Sequence, residues 1–218
     1  MHTDPEGFVR AHTRLVAPPL VPELRVYGAD EVTPLWQATE DALSRVGVEP
    51  PFWAFAWPGS QALARWILDN PLEFAGKRVL DVGAGGGLAA IAAARVGALA
   101  AIANDVDPLA LVAARLNAIE NGVTITTVIG DLSAGTAGLE VDADIVVVGD
   151  LCYEKDLAAR LMGWLRVLAR DRRVVLAEPG RAFAPRAGVR PIARYTVPTT
   201  LDLESRTERE AVLLEVVL

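Results

Sequence analysis

Acidic side chains stand at four points where a short apolar run gives out: Asp105, Asp131, Asp150 and Glu178. A carboxylate in such a place can accept hydrogen bonds from hydroxyl or amine groups of a ligand. The stretch Arg78 to Ala94, RVLDVGAGGGLAAIAAA, carries a different kind of site. Its apolar run Val79 to Val82 encloses an acid, Asp81; Gly83, Gly85, Gly86 and Gly87 follow, and then an Ala-rich, helix-favouring segment. Glycines let the backbone approach a ligand closely, and a helix N-terminus offers it unpaired N–H groups. Strand, glycine turn and helix in that order suit a ligand of nucleotide type. Asp105 lies about twenty residues beyond the glycines, directly after Asn104, where an acid can accept from both ribose hydroxyls. Asp107, ahead of Pro108, is assigned to capping the next helix. Asp131, within Gly130-Asp131-Leu132, could meet an exocyclic amine of the base.

Asp150 follows four apolar residues and Gly149 and opens Asp150-Leu151-Cys152-Tyr153-Glu154, which places it opposite whatever binds beside the nucleotide. Tyr153 shares that position. Cys152 is read as packing, since no histidine is placed to activate its thiol. Glu178-Pro179-Gly180-Arg181 puts an acid and a base at the same edge, as candidates for holding a substrate or closing a lid. Among the aromatics of Pro50 to Gly59, Trp57 is the candidate for packing on a cofactor, whereas Trp53 and Phe55 read as an ordinary strand face.

The elements that must position these residues follow from periodicity. Apolar strand-like runs at Val79 to Val82, Leu99 to Asn104, Thr124 to Ile129, Asp144 to Val148 and Arg173 to Ala177 are separated by helical patterns. The helices are expected over Leu88 to Val96, Pro108 to Glu120 and Glu154 to Leu168. Such alternation predicts an α/β fold with a parallel sheet covered on both faces, and ligands sit at the carboxyl ends of its strands. Pro191 to Val197 and Ala211 to Leu218 have no helix-length pattern between them and predict a terminal antiparallel pair. The expectation is a Rossmann-like, doubly wound seven-stranded sheet, mostly parallel, with an antiparallel C-terminal strand. Before it, residues 1–49 form an N-terminal helical appendage: a helix from Thr3-Asp4-Pro5 to about Leu15, a strand over Leu20 to Tyr27, and a helix from Thr33-Pro34 to Val46. Residues 50–218 are the cofactor-binding and catalytic core of one domain, and Ser60 to Leu68 is its first helix.

Composition narrows the partners. With 52% apolar and 22% charged residues over 218 positions, the chain is of ordinary globular type. A net charge of -7 argues against nucleic acid, whose phosphates need clustered Lys and Arg. One cysteine, and histidines only at His2 and His12, predict no internal disulfide and no structural metal. The N-terminus lacks an apolar signal region, and no apolar run reaches the roughly 20 residues of a membrane span, so a cytoplasmic location away from membranes is expected.

Val79 to Gly87, Asn104-Asp105 and Gly149 to Tyr153 together resemble the class I S-adenosylmethionine-dependent methyltransferases. Adding Pro51 to Gly59 and Glu178 to Arg181, the chain resembles the protein lysine methyltransferases that modify the β subunit of electron transfer flavoprotein, over roughly Pro50 to Arg181. The resemblance implies S-adenosylmethionine as cofactor and a protein lysine as acceptor. It assigns Gly83, Gly85 and Gly87 to the methionine end of the cofactor, Asp105 to its ribose, and Asp150 with Tyr153 to the accepting amine. Trp57, Asp81, Asn104 and Asp131 join the cofactor site, and Glu178 and Arg181 the substrate site. Glu178 departs from the aspartate of the family motif. Two other readings stay open: a ribosomal-protein methyltransferase, which shares the core motifs, and a nicotinamide-dependent oxidoreductase. Gly85 to Ala90 fits the loose dinucleotide fingerprint of the latter, although no Tyr-x-x-x-Lys hydride site follows. A cofactor-binding fold acting only as an interaction module is disfavoured by the intact Asp150 and Tyr153.

Overall fold

The computed structural model describes residues 4–29, 51–135, 140–200 and 204–218. Helix α1 (Pro5–His12) starts where the sequence places it, with Asp4 accepting from the Gly7 N–H at 2.8 Å. It stops at His12, short of Leu15, because Thr13 is extended and Arg14–Val16 (β1) pairs antiparallel with Val26–Gly28 (β2). The strand expected over Leu20 to Tyr27 shrinks to β2, since Pro22 has no N–H for a ladder and Pro18 and Val21 carbonyls close turns ahead of it. The described part of the appendage is therefore a helix with a two-stranded sheet, and the helix expected from Thr33 to Val46 lies outside the described residues. Trp53 and Phe55 do not form a strand face. Pro51 opens a 3-10 turn over Phe52–Ala54, and Trp53, only 3% exposed, packs beside Val9, Tyr27, Ala110 and Ala113.

Helices α2 (Pro58–Asp69) and α3 (Pro71–Phe74) precede the main sheet. The chain then alternates β3 (Arg78–Val82), α4 (Leu88–Arg95), β4 (Ala100–Asp105), α5 (Pro108–Glu120), β5 (Thr126–Ile129), β6 (Ile145–Gly149), α6 (Lys155–Leu168) and β7 (Arg173–Glu178). It ends in β8 (Val189–Pro198) and β9 (Glu208–Val216). The sheet order is β5-β4-β3-β6-β7-β9-β8, with β3 to β7 parallel and β9 antiparallel to both of its neighbours. This is the expected doubly wound, seven-stranded arrangement.

Alternation along the strands divides the core. Val79, Ile145, Val147 and Val175 meet α2 and α4 on one face, and Leu80, Val82, Val146, Val148 and Leu176 meet α6 on the other. Burying each such side chain contributes about 1.5–3 kcal/mol, which fixes strand register and therefore where each strand ends. β4 and β6 flank β3 on opposite sides, so the order reverses at β3 and a crevice opens at its carboxyl end.

Candidate active site

A cavity of about 910 Å³ lies over those strand ends, walled by the Gly83 to Gly86 loop, Asn104, Asp105, Asp131, Asp150, Tyr153, Trp57 and Arg181. That volume lies in the range of small-molecule sites. Of the residues singled out in the sequence, Asp81, Gly87 and Glu178 are not on its wall.

Gly87 shapes the loop from behind. Its φ is +78°, and a Cβ there would sit 2.9 Å from the Ala114 Cβ, so only glycine lets α4 start this close to α5. Asp81, on the α4 face of β3, accepts the Ala90 N–H at 3.1 Å and thereby fixes the helix start. Burial is the main cause that pushes its carboxyl up to about 7, against the lowering effect of the Ala90 N–H. Asn117 was not legible as a site residue, yet its amide donates to the Gly86 carbonyl at 2.8 Å and accepts the Tyr27 N–H at 2.7 Å. It ties the N-terminal sheet to the glycine loop. An asparagine within the buried stripe of α5 was the available signal.

At the β4 end, Asp105 Oδ2 accepts the Gly85 N–H at 2.8 Å and Oδ1 the Asp107 N–H at 3.0 Å. One carboxylate thus sets the loop and faces the cavity, and burial raises its pKa above the usual aspartate value. Asp107 caps α5 through the Leu109 N–H at 2.8 Å. The Asn104 amide donates across to the Val128 and Gly130 carbonyls at 2.9 and 2.8 Å, which holds the ends of β4 and β5 together. Asp131 is tied to Ser133 and to Arg160, the latter at 2.9 Å.

At the β6 end, Asp150 has φ +61° and is 9% exposed. Its Oδ2 accepts the Ser60 N–H at 3.2 Å, and its Oδ1 accepts Nε and Nη2 of Arg181 at 3.1 and 2.6 Å. Burial raises the Asp150 pKa, while Arg181 pulls it back down. Gly59 and Ser60 were missed in the sequence. They are the first-turn residues of α2, and their contact with Asp150 spans 90 positions without a local signature. Glu178 is buried behind the wall, where it accepts the Arg181 N–H at 3.3 Å and the Cys152 thiol; burial, then Glu178, keeps that thiol protonated. Trp57 donates from Nε1 to the Phe52 carbonyl at 2.8 Å, and its ring lies beneath the Arg181 guanidinium. Tyr153 is 50% exposed at the rim, with its ring 6.2 Å from that of Phe52. Among the described residues no group of three or more His, Cys, Asp and Glu side chains could hold a metal ion, and no helix is long and apolar enough to cross a membrane.

Two solved structures share the architecture. Magnesium protoporphyrin IX methyltransferase from Synechocystis, solved with bound S-adenosylmethionine, superposes with a TM-score of 0.54 at 20% identity, over 73% of this chain and 78% of that one. A Pyrococcus horikoshii chain with a provisional RNA-methyltransferase description gives 0.56 at 20% identity, over 84% and 98%. The doubly wound fold is shared with both of these structures. Residues 64–151 match the family model described as ribosomal protein L11 methyltransferase. The electron transfer flavoprotein β subunit lysine methyltransferase of Xenopus laevis is 38% identical over 203 residues, 89% of this chain and 80% of the relative. The enzyme of that name from Homo sapiens is 38% identical over 184 residues, 82% of this chain and 68% of the relative. The chain belongs to this lysine methyltransferase family.

The cavity fits the cofactor by the chemistry of its donors and acceptors. Carboxylates at Asp105 and Asp131 can accept from hydroxyl and amine groups, and the Gly83 to Gly86 loop leaves backbone open to a ligand.

Proposed function

We propose that this protein is an S-adenosylmethionine-dependent lysine N-methyltransferase whose acceptor is the β subunit of electron transfer flavoprotein. The observation that carries the reading is one cavity wall shared by Asp150, Tyr153, the glycine loop and Asp105. Substrate and cofactor sites are then continuous. The names of the Xenopus and human relatives supply the acceptor protein.

Bound at the glycine loop, the cofactor supplies a methyl group on a sulfonium. The remaining work falls to the chain. Asp105 and the loop would orient the ribose and methionine end, and Asn104 and Asp131 would border the base. Asp150, fixed by α2 and Arg181, and Tyr153 at the rim would receive the lysine side chain and align its nitrogen. Alignment alone can supply several kcal/mol of a transfer barrier. The amine must also be neutral to attack, against an ordinary lysine pKa of about 10.4; a buried position helps by disfavouring the ammonium. Glu178 would act only through Arg181 and Cys152. A single thiol, buried and protonated, accords with a reducing, cytoplasmic setting.

Purified enzyme incubated with labelled S-adenosylmethionine and the flavoprotein β subunit is expected to yield methyl-lysine in that subunit, read by peptide mass spectrometry. An unlabelled β subunit would overturn the reading. The family-model match over 64–151, and 38% identity over 113 residues to a Deinococcus radiodurans enzyme named ribosomal protein L11 methyltransferase, favour one competitor. Label in a ribosomal protein, when the enzyme is incubated with labelled cofactor and cell extract, would establish it instead.

A further inference from the structure

Arg181 ends the Glu178-Pro179-Gly180 turn after β7, and its guanidinium is held from three sides. Beside the two bonds to Asp150, Nη1 and Nη2 donate to the Glu204 carboxylate at 3.2 and 2.7 Å. The guanidinium carbon lies 5.5 Å from the centre of the Trp57 ring. Glu204, itself buried, takes a second cation, with Arg209 Nε at 2.9 Å. Asp150, Arg181, Glu204 and Arg209 therefore make a run of alternating charges that sums to zero.

A lone buried carboxylate beside the acceptor would work against the reaction. It would hold lysine as ammonium, which has no lone pair to attack with. Among the described residues, the groups facing Asp150 are few. Glu178 and Arg181 come from the end of β7, Cys152 from the turn after β6, Glu204 and Arg209 from the approach to and start of β9, and backbone amides of Gly59 and Ser60 from α2. The Cys152 thiol is kept protonated by burial and by Glu178. Arg181 is the cation in direct contact with Asp150.

We propose that Arg181 is the positioning residue that cancels the charge of Asp150, so that the site receives the acceptor lysine as a neutral amine instead of trapping it as an ammonium. A movable plug in the lysine's place would be held loosely; four hydrogen bonds to two buried carboxylates, with an aromatic ring beneath, make a fixed charge. The inference rests on the lysine-methyltransferase reading above.

The test compares wild type with Arg181→Met, Arg181→Lys and Glu204→Gln, using two readouts. Affinity for the flavoprotein β subunit is measured at pH 7.5 without cofactor, and kcat is followed from pH 6.5 to 10, since kcat reports ionisations within the complex. Arg181→Met is expected to bind the β subunit about tenfold more tightly, while the acid limb of kcat moves up by about one pH unit or more. Arg181→Lys should return the limb towards wild type, and Glu204→Gln should move it down. A fall in kcat by one factor at every pH with unchanged binding would reduce Arg181 to a scaffold and overturn the proposal. A rise at every pH would make it a gate and overturn it equally. If Arg181→Met does not fold, an unmoved limb in both Arg181→Lys and Glu204→Gln upholds nothing for charge balance and sinks it, whereas a downward shift in Glu204→Gln sustains it. Failure of wild type to methylate the β subunit removes the functional reading and this inference together; active wild type with an unmoved Arg181→Met limb removes the inference alone.

Discussion

Replacing Gly59 by alanine should damage transfer while sparing the cofactor site. A Cβ built on Gly59 would lie 2.9 Å from the Asp150 Cγ, closer still to Oδ2, and 3.0 Å from the Ala177 carbonyl oxygen. The carbonyl belongs to β7 and is fixed by the sheet, so the carboxylate is the group that must shift. Moving it breaks the bond from the Ser60 N–H, a charge-assisted contact whose loss costs about 1.5–3 kcal/mol. Alanine is better than glycine in a helix by about 0.5–1 kcal/mol, which offsets part of that cost in overall stability. The offset does not reach turnover, because it stabilises α2 wherever Asp150 points. If that bond is needed in full to hold Asp150 in the transition state, then at about 1.4 kcal/mol per factor of ten kcat should fall by about 10- to 150-fold. The assay is methyl transfer at saturating cofactor, paired with calorimetric titration of S-adenosylhomocysteine, whose affinity should stay within about twofold because Gly59 lies outside the glycine loop and the β4 end. Turnover equal to wild type in a folded Gly59→Ala protein would refute the claim that Asp150 must stand where α2 holds it.

Three further outcomes follow from the cofactor end. Asp105→Asn leaves one of two N–H donors, on Gly85 or Asp107, facing an amide NH2; S-adenosylhomocysteine affinity should drop about 10- to 100-fold by calorimetry, and an unchanged Kd would remove Asp105 from the site. Asp81 has its folded pKa raised to about 7 from 3.8, so the folded state holds the proton longer than the unfolded one, and this group makes stability fall as pH rises from about 4 to 7. Denaturant melts should therefore show Asp81→Asn gaining on wild type across that window, by at most about 4 kcal/mol; a constant difference would show that Asp81 titrates normally. Gly87→Ala would place a side chain at φ +78° against Ala114, costing about 1–2 kcal/mol in backbone strain alone, and a melting temperature unchanged by the substitution would contradict the tight start of α4.

The strand ends could be read from sequence because each is a local event: a short apolar run stops, and an acid or a glycine follows. Asp105, Asp107 and Gly83 to Gly87 stand where that logic puts them. Contacts across the chain had no such signature. The Ser60–Asp150 bond joins positions 90 apart, and the Asn117–Tyr27 bond does the same, so neither follows from spacing. Asn117 left a trace as a polar residue on a buried helix stripe, whereas Gly59 carried no reading of its own beside Pro58. Trp53 and Phe55 misled because alternation with alanine imitates a strand, while Pro51 sets the backbone for a 3-10 turn. Glu178 was read as facing the substrate because it ends a strand; its longer side chain instead folds back to the Arg181 N–H and the Cys152 thiol.

Charge separates the two ends of the cavity more sharply than shape does. At the β4 end, the hydrogen bonds of Asp105 come from the backbone N–H groups of Gly85 and Asp107. An acidic wall does not oppose S-adenosylmethionine, which, with its sulfonium and ammonium set against one carboxylate, carries a net positive charge. At the β6 end, Asp150 already has its cation in Arg181, and Glu204 has two. A second cation arriving there gains little, so an ammonium is not favoured over a neutral amine. On the proposed reading the polarity runs in the direction methyl transfer requires: the acidic end would favour the charged donor, and the charge-balanced end would admit the uncharged acceptor.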